Sequence, residues 1–124
     1  MSWNAYLADL KTHATGCALI SNEGAVCATE GTWKATPQES QQYALLFKNP
    51  AAAQASGLTY GGVKFFCNQA TEEMIVAMKG KEAIVLQKSN TTVVAGYSDG
   101  SKTVPADLSA KVAKAVNQLL AVNY

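Results

Sequence analysis

Apolar and polar positions along the chain change period several times, and each change marks a boundary between elements. Trp3, Tyr6, Leu7 and Leu10 recur at i, i+3, i+4 and i+7, the spacing of one helix face. Ser2 is placed to cap that helix, which fades at Thr12-His13 and breaks at Gly16. Cys17–Ser21 is a short apolar run of strand length. Asn22-Glu23-Gly24 supplies a turn, and Ala25–Thr29 returns as the second arm of a hairpin. Thr36-Pro37-Gln38-Glu39 reads as a helix start, with a capping threonine, a proline at the first helical position and a glutamate three residues after the cap. That helix runs through Tyr43, Leu46 and Phe47 and stops before Asn49-Pro50. A short helical turn, Ala51–Ala55, ends at Ser56-Gly57.

The second half begins with strands. Leu58–Asn68 carries a Gly61-Gly62 pair, expected to be a bulge or a close backbone approach. Met74–Lys79, Ala83–Lys88 and Thr91–Tyr97 follow, joined at Gly80-Lys81 and Ser89-Asn90. Links this short force antiparallel neighbours, hence a meander. From Ala106 to Val122 the period returns to that of a helix. Leu108, Val112, Ala115, Val116, Leu119 and Val122 form one stripe, Lys111, Lys114 and Asn117 point away, and Tyr124 lies within a turn of its end. One antiparallel sheet with helices on both faces accounts for this order, an α+β domain spanning residues 1–124.

Composition narrows what such a domain does. Hydrophobic residues make up 48% of the 124, enough for one core and too many for disorder. No apolar run approaches the roughly 18 residues that cross a bilayer, and Met1–Asn4 lacks a signal-peptide start, so a cytoplasmic location is expected. The ten basic residues are all lysine, against nine carboxylates, for a net charge of +1. Without arginine or a basic surplus, nucleic acid is a poor partner. Cysteines 17, 27 and 67 are odd in number and widely spaced, and are read as reduced, buried thiols.

No catalytic constellation emerges. His13 is the single histidine and reads as a solvated surface group, so no Cys or Ser has a second candidate base. No clustered metal ligands and no phosphate-binding glycine loop occur. Glu72-Glu73 reads as a solvated pair in a turn. The chain is therefore expected to be no enzyme and to need neither cofactor nor metal. What remains is Trp3, Tyr6 and Tyr124 on the terminal helices. These either pack plainly on the sheet or form a groove for proline-rich segments, whose extended helix is already ordered before binding.

The sequence resembles the profilins. Trp3-Asn4-Ala5-Tyr6 is similar to the family's W-x-x-Y start, and Gly57-Leu58-Thr59-Tyr60-Gly61-Gly62-Val63-Lys64 to its G-L-x-x-G-G-x-K strand. Met78-Lys79-Gly80, Val93–Tyr97 and the final helix with its terminal aromatic also fit, so the resemblance covers the whole chain. It implies a three-layer fold, with N- and C-terminal helices on one face of the sheet and short helices on the other. It also implies a cytoskeleton-associated monomer that binds monomeric actin, regulating its polymerisation and nucleotide exchange. Proline-rich proteins such as formin-type nucleators, and phosphoinositide lipids, are the other implied partners.

Residue by residue, the resemblance places Trp3, Tyr6 and Tyr124 in a proline groove. The family's V-W-A tryptophan is replaced by Cys27, and a ring on the last helix by Gln118. Trp33 falls elsewhere in the pattern and takes no groove role. Lys64 aligns with the actin face, and Lys79, Lys81, Lys102, Ser109 and Lys111 lie in matching regions. A lysine rim there would mainly raise association rate and specificity. The rival readings are a longin- or roadblock-like assembly module without actin binding, a lipid-surface binder, and an enzyme using Cys17 or Cys27 as nucleophile. With stacked aromatics contributing about 1 kcal/mol each, Cys27→Trp should tighten poly-L-proline binding roughly fivefold by fluorescence titration. Unchanged affinity would mean that position 27 does not limit the groove.

Overall fold

In a computed structural model of the chain, the residues described are 7, 10, 14–21, 23–89, 92–99 and 105–121. The proposed Ser2 cap, the fade at Thr12-His13, Asn22 of the hairpin turn and Val122 of the last stripe lie outside them. Seven strands form one sheet, β1 (Gly16–Ser21), β2 (Val26–Gly31), β3 (Leu58–Tyr60), β4 (Val63–Ala70), β5 (Met74–Lys79), β6 (Glu82–Lys88) and β7 (Thr92–Ser98). Three helices are described, α1 (Pro37–Leu46), α2 (Pro50–Ser56) and α3 (Pro105–Leu120). Leu7 and Leu10 are also helical. The sheet order is β2-β1-β7-β6-β5-β4-β3, and every pairing is antiparallel.

The hairpin and the meander are joined by β1 and β7, paired from Gly16↔Tyr97 to Ser21↔Thr92. That pairing makes β1, β7 and β6 interior strands covered on both faces, so they read as continuous apolar runs. Every residue of β7 is buried, whereas β5 alternates between half-buried and buried positions. Each face has its own core. Ile20, Phe65, Ile84 and Ala95 pack with Tyr43 and Leu46 of α1. Leu19, Val85 and Val94 pack with Leu7, Leu10 and the α3 stripe Leu108, Val112, Ala115, Val116 and Leu119. The expected three-layer α+β fold is the one observed, with Leu7, Leu10 and α3 together on one face.

At Gly96 side chains of α3 pack directly onto the backbone of β7. A Cβ there would lie 3.0 Å from Val112 Cγ2 and 3.1 Å from Leu108 Cδ1, closer than ordinary contact.

The Gly61-Gly62 pair is neither bulge nor simple approach but the turn between β3 and β4. Its φ values of 58° and 82° are those of a two-residue hairpin turn with both central residues left-handed. The Glu39 carboxylate holds that turn. Oε1 accepts from Gly61 N at 2.9 Å and Oε2 from Gly62 N at 3.0 Å. The same side chain closes the expected capping box, with Oε1 accepting from Thr36 N at 2.9 Å while Glu39 N donates to Thr36 Oγ1 at 3.2 Å. One buried carboxylate thus fixes α1 to the β3–β4 hairpin.

Around this junction sits an aromatic cluster. Tyr60 stacks on Tyr97 at 4.6 Å, and Trp33 lies 5.1 Å from Tyr60. Trp33 therefore packs against the α1-side core. The Tyr43 hydroxyl donates to the Thr59 carbonyl at 2.6 Å, and that of Tyr97 donates to Glu82. Burial is the main cause that pushes all three phenols, Tyr43, Tyr60 and Tyr97, above their ordinary range.

Removing Glu39 leaves three backbone donors without their acceptor. Glu39→Ala should cost about 3 kcal/mol in urea unfolding, with Glu39→Gln recovering part of it. A loss below about 1 kcal/mol would show that the junction is held by packing alone.

Candidate functional site: an open half of the sheet

The face carrying α3 is only partly covered. The helix packs on β6 and β7 and leaves the β4–β5 side open. On β5, alternation sends Ile75 and Ala77 into the α1-side core, and Met74, Val76 and Met78 to the other face, half-buried. Phe66 of β4 pairs with Met78 and shares that face, because its neighbour Phe65 fills the opposite core. Phe66 is 68% exposed. Lys64, two residues earlier, places Nζ 6.0 Å from the Phe66 ring centroid. From the helix side, Ser109 Oγ donates to Met74 Sδ at 3.7 Å; Lys111, in the second turn of α3, is half-buried.

The structure therefore brings Lys64 and Ser109 to one face, beside an apolar strip, whereas Lys111, roughly 200° around the helix from Ser109, lies on the other flank of α3. Lys79 and Lys81 lie elsewhere. They flank Gly80 in the β5–β6 turn and, with Gly80, Glu82 and Asp99, line a cleft of about 540 Å3. Lys79 follows Met78 and points to the opposite face by alternation. Lys102 lies outside the described residues. At the other end of β5 a cleft of about 860 Å3 mixes Lys48 and Lys88 with Glu72 and Glu73, so its charges largely offset.

Sequence reasoning missed Phe66, Met74, Val76 and Met78. A signal was available in the Phe65-Phe66 doublet. Adjacent strand residues face opposite ways, so when one ring fills a core the other cannot.

Of the groove residues, Trp3, Tyr6 and Tyr124 lie outside the described residues. Gln118 is exposed in the last turn of α3, beside the buried Leu119. Cys27 is exposed on β2, where the register with β1 shifts between Leu19 and Ile20. This corrects the expectation of three buried thiols. Cys17 is buried, Cys67 half-buried and Cys27 open, because β2 is an edge strand with no neighbour beyond it. Burial pushes the Cys67 thiol up, and its Sγ donates to the Gln69 carbonyl at 3.3 Å. Among the described residues, no group of three or more His, Cys, Asp or Glu could hold a metal ion, and no helix is long and apolar enough to cross a membrane.

Comparison with known proteins bears on this geometry. The family model described as Profilin matches residues 1–124. Profilin-3 of Dictyostelium discoideum is 30% identical over 100 residues, covering 76% of this chain and 77% of that protein. The crystal structure of Acanthamoeba castellanii profilin II superposes with a TM-score of 0.90 at 21% identity, over 99% of this chain and 100% of that one. Two further structures with this fold are complexes. LokiProfilin1 bound to rabbit actin has a TM-score of 0.75 at 19% identity, covering 96% of this chain and 91% of that one. Mouse profilin IIa bound to a double repeat from the FH1 domain of mDia1 has a TM-score of 0.77 at 15% identity, covering all of both chains.

The three thiols should differ in reactivity with an aromatic disulfide reagent. Cys27 is expected to react first, Cys67 more slowly, and Cys17 only once the chain unfolds. A fast phase that survives Cys27→Ser would contradict the exposed position of that thiol.

Proposed function

The chain belongs to the profilin family, and on that premise we propose that it binds monomeric actin through the open β4–β5 face. The observation that carries this reading is the strip formed by exposed Phe66 and half-buried Val76 and Met78, with Lys64 beside it and Ser109 on the adjoining helix. Apolar contacts at the centre of an interface supply affinity, and charges at its rim steer encounter and fix register. The actin complex of LokiProfilin1 supports the partner. A bound profilin regulates the monomer's entry into filaments and its nucleotide exchange by occupying actin, with no covalent chemistry of its own.

Proline-rich segments are the second ligand in this reading, held by Trp3, Tyr6 and Tyr124, with Cys27 and Gln118 where rings would otherwise widen the stacking surface. The FH1 complex of mouse profilin IIa supports that ligand class. Phosphoinositides are a third ligand class in this reading, taken from the family resemblance and not from the β5–β6 turn, where Glu82 and Asp99 offset Lys79 and Lys81. All three activities belong to a single domain in the cytoplasm.

Titration against monomeric actin, followed through the fluorescence of its bound nucleotide, tests the reading. Saturable binding is expected, weakened about tenfold by Lys64→Glu at low salt and less at high salt. A correctly folded chain that does not bind at high concentration would transfer the reading to an assembly module.

A further inference from the structure

We propose that Phe66 is the anchor of the open face, the side chain on which partner affinity depends, and that Lys64 beside it governs encounter. The inference rests on the actin-binding reading and names the residue that carries it. Among the described large hydrophobic residues that are exposed, Phe66 is the most open at 68%, and the others are Val26, Leu45, Val63 and Leu120. Leu45 lies on α1 and Val26 on the β2 edge. Val63 shares the Phe65 side of β4 by alternation, and Leu120 lines the cleft at the far end of β5. Among the described residues, Phe66 is therefore the one exposed ring on this face, and it stands on an apolar floor.

That floor is built on the β5 side of the ring. Met78 lies directly across the strand pair, at the separation where cross-strand side chains touch. Val76 and Met78 are themselves packed against the α3-side core, so a partner meets a supported surface. Immediately after Phe66 the β4–β5 register shifts between Cys67 and Gln69, a local irregularity of the kind that re-aims a strand's side chains. Lys64 Nζ, 6.0 Å from the ring centroid, lies at the outer limit of a cation–π contact and keeps its charge at the rim. A large exposed ring braced by a supported apolar strip, with a charge at its rim, is an arrangement that concentrates binding energy in one residue.

It follows that the partner offers an apolar recess for a phenyl ring, with a carboxylate placed at the edge of that recess. The test compares the parent chain with Phe66→Ala and Lys64→Ala, titrating each against monomeric actin at two ionic strengths. Phe66→Ala should weaken binding about thirtyfold or more, equally at both salts. Lys64→Ala should weaken it only about threefold at low salt, through a slower association rate that converges with the parent's as salt rises. Because the ring is largely exposed, Phe66→Ala should keep the parent's thermal midpoint, which separates lost contact from lost fold. Phe66→Ala binding within threefold of the parent would overturn the anchor while leaving actin binding by this face intact. Failure of the parent itself to bind actin would overturn both.

Discussion

Everything else in the fold depends on β1 lying against β7. The two strands are separated by most of the chain, so their pairing closes a long loop and joins an N-terminal hairpin to a C-terminal meander. Once joined, β1, β7 and β6 become interior strands whose two faces both need cover. α1 supplies it on one side, and α3 with Leu7 and Leu10 on the other. One long helix cannot span seven strands. Placing α3 over β6 and β7 serves the most apolar part of the sheet, leaving β5 half-covered and Phe66 of β4 exposed. The binding face is thus what remains after the core has been covered.

Much of this was legible from residue spacing. The Thr36-Pro37-Gln38-Glu39 capping box, the α3 stripe and the Met74–Lys79 strand were readable because each rests on a short-range rule, and the structure reproduces all three. The Gly61-Gly62 pair was harder, because two consecutive glycines suit a bulge, a close approach or a tight turn equally well. What decides between them is the Glu39 carboxylate more than twenty residues away. Exposure of Cys27 was hidden for a similar reason. Val26-Cys27-Ala28 has strand composition, but only the sheet order shows that this strand is an edge.

The candidate site was legible in its charges more than in its shape. Lys64 and Ser109 were found by likeness to a family pattern, and they do share a face. Lys79 and Lys81 were grouped with them because they lie in regions matching the same pattern, and alternation along β5 together with the Gly80 turn carries them to the sheet's end. The apolar strip was overlooked because Phe66, Val76 and Met78 look like core residues in a list. They are distinguished only by which strands the helix fails to cover.

One absent side chain bears on that boundary. At Gly96 the floor of the sheet has no Cβ, and Leu108 and Val112 settle into the space at 3.0–3.1 Å from where one would stand. The altitude of α3 above the sheet is therefore set from below, by a residue that touches no partner. A helix seated that low casts a short shadow. Where the shadow ends is where the protein begins to be available to others.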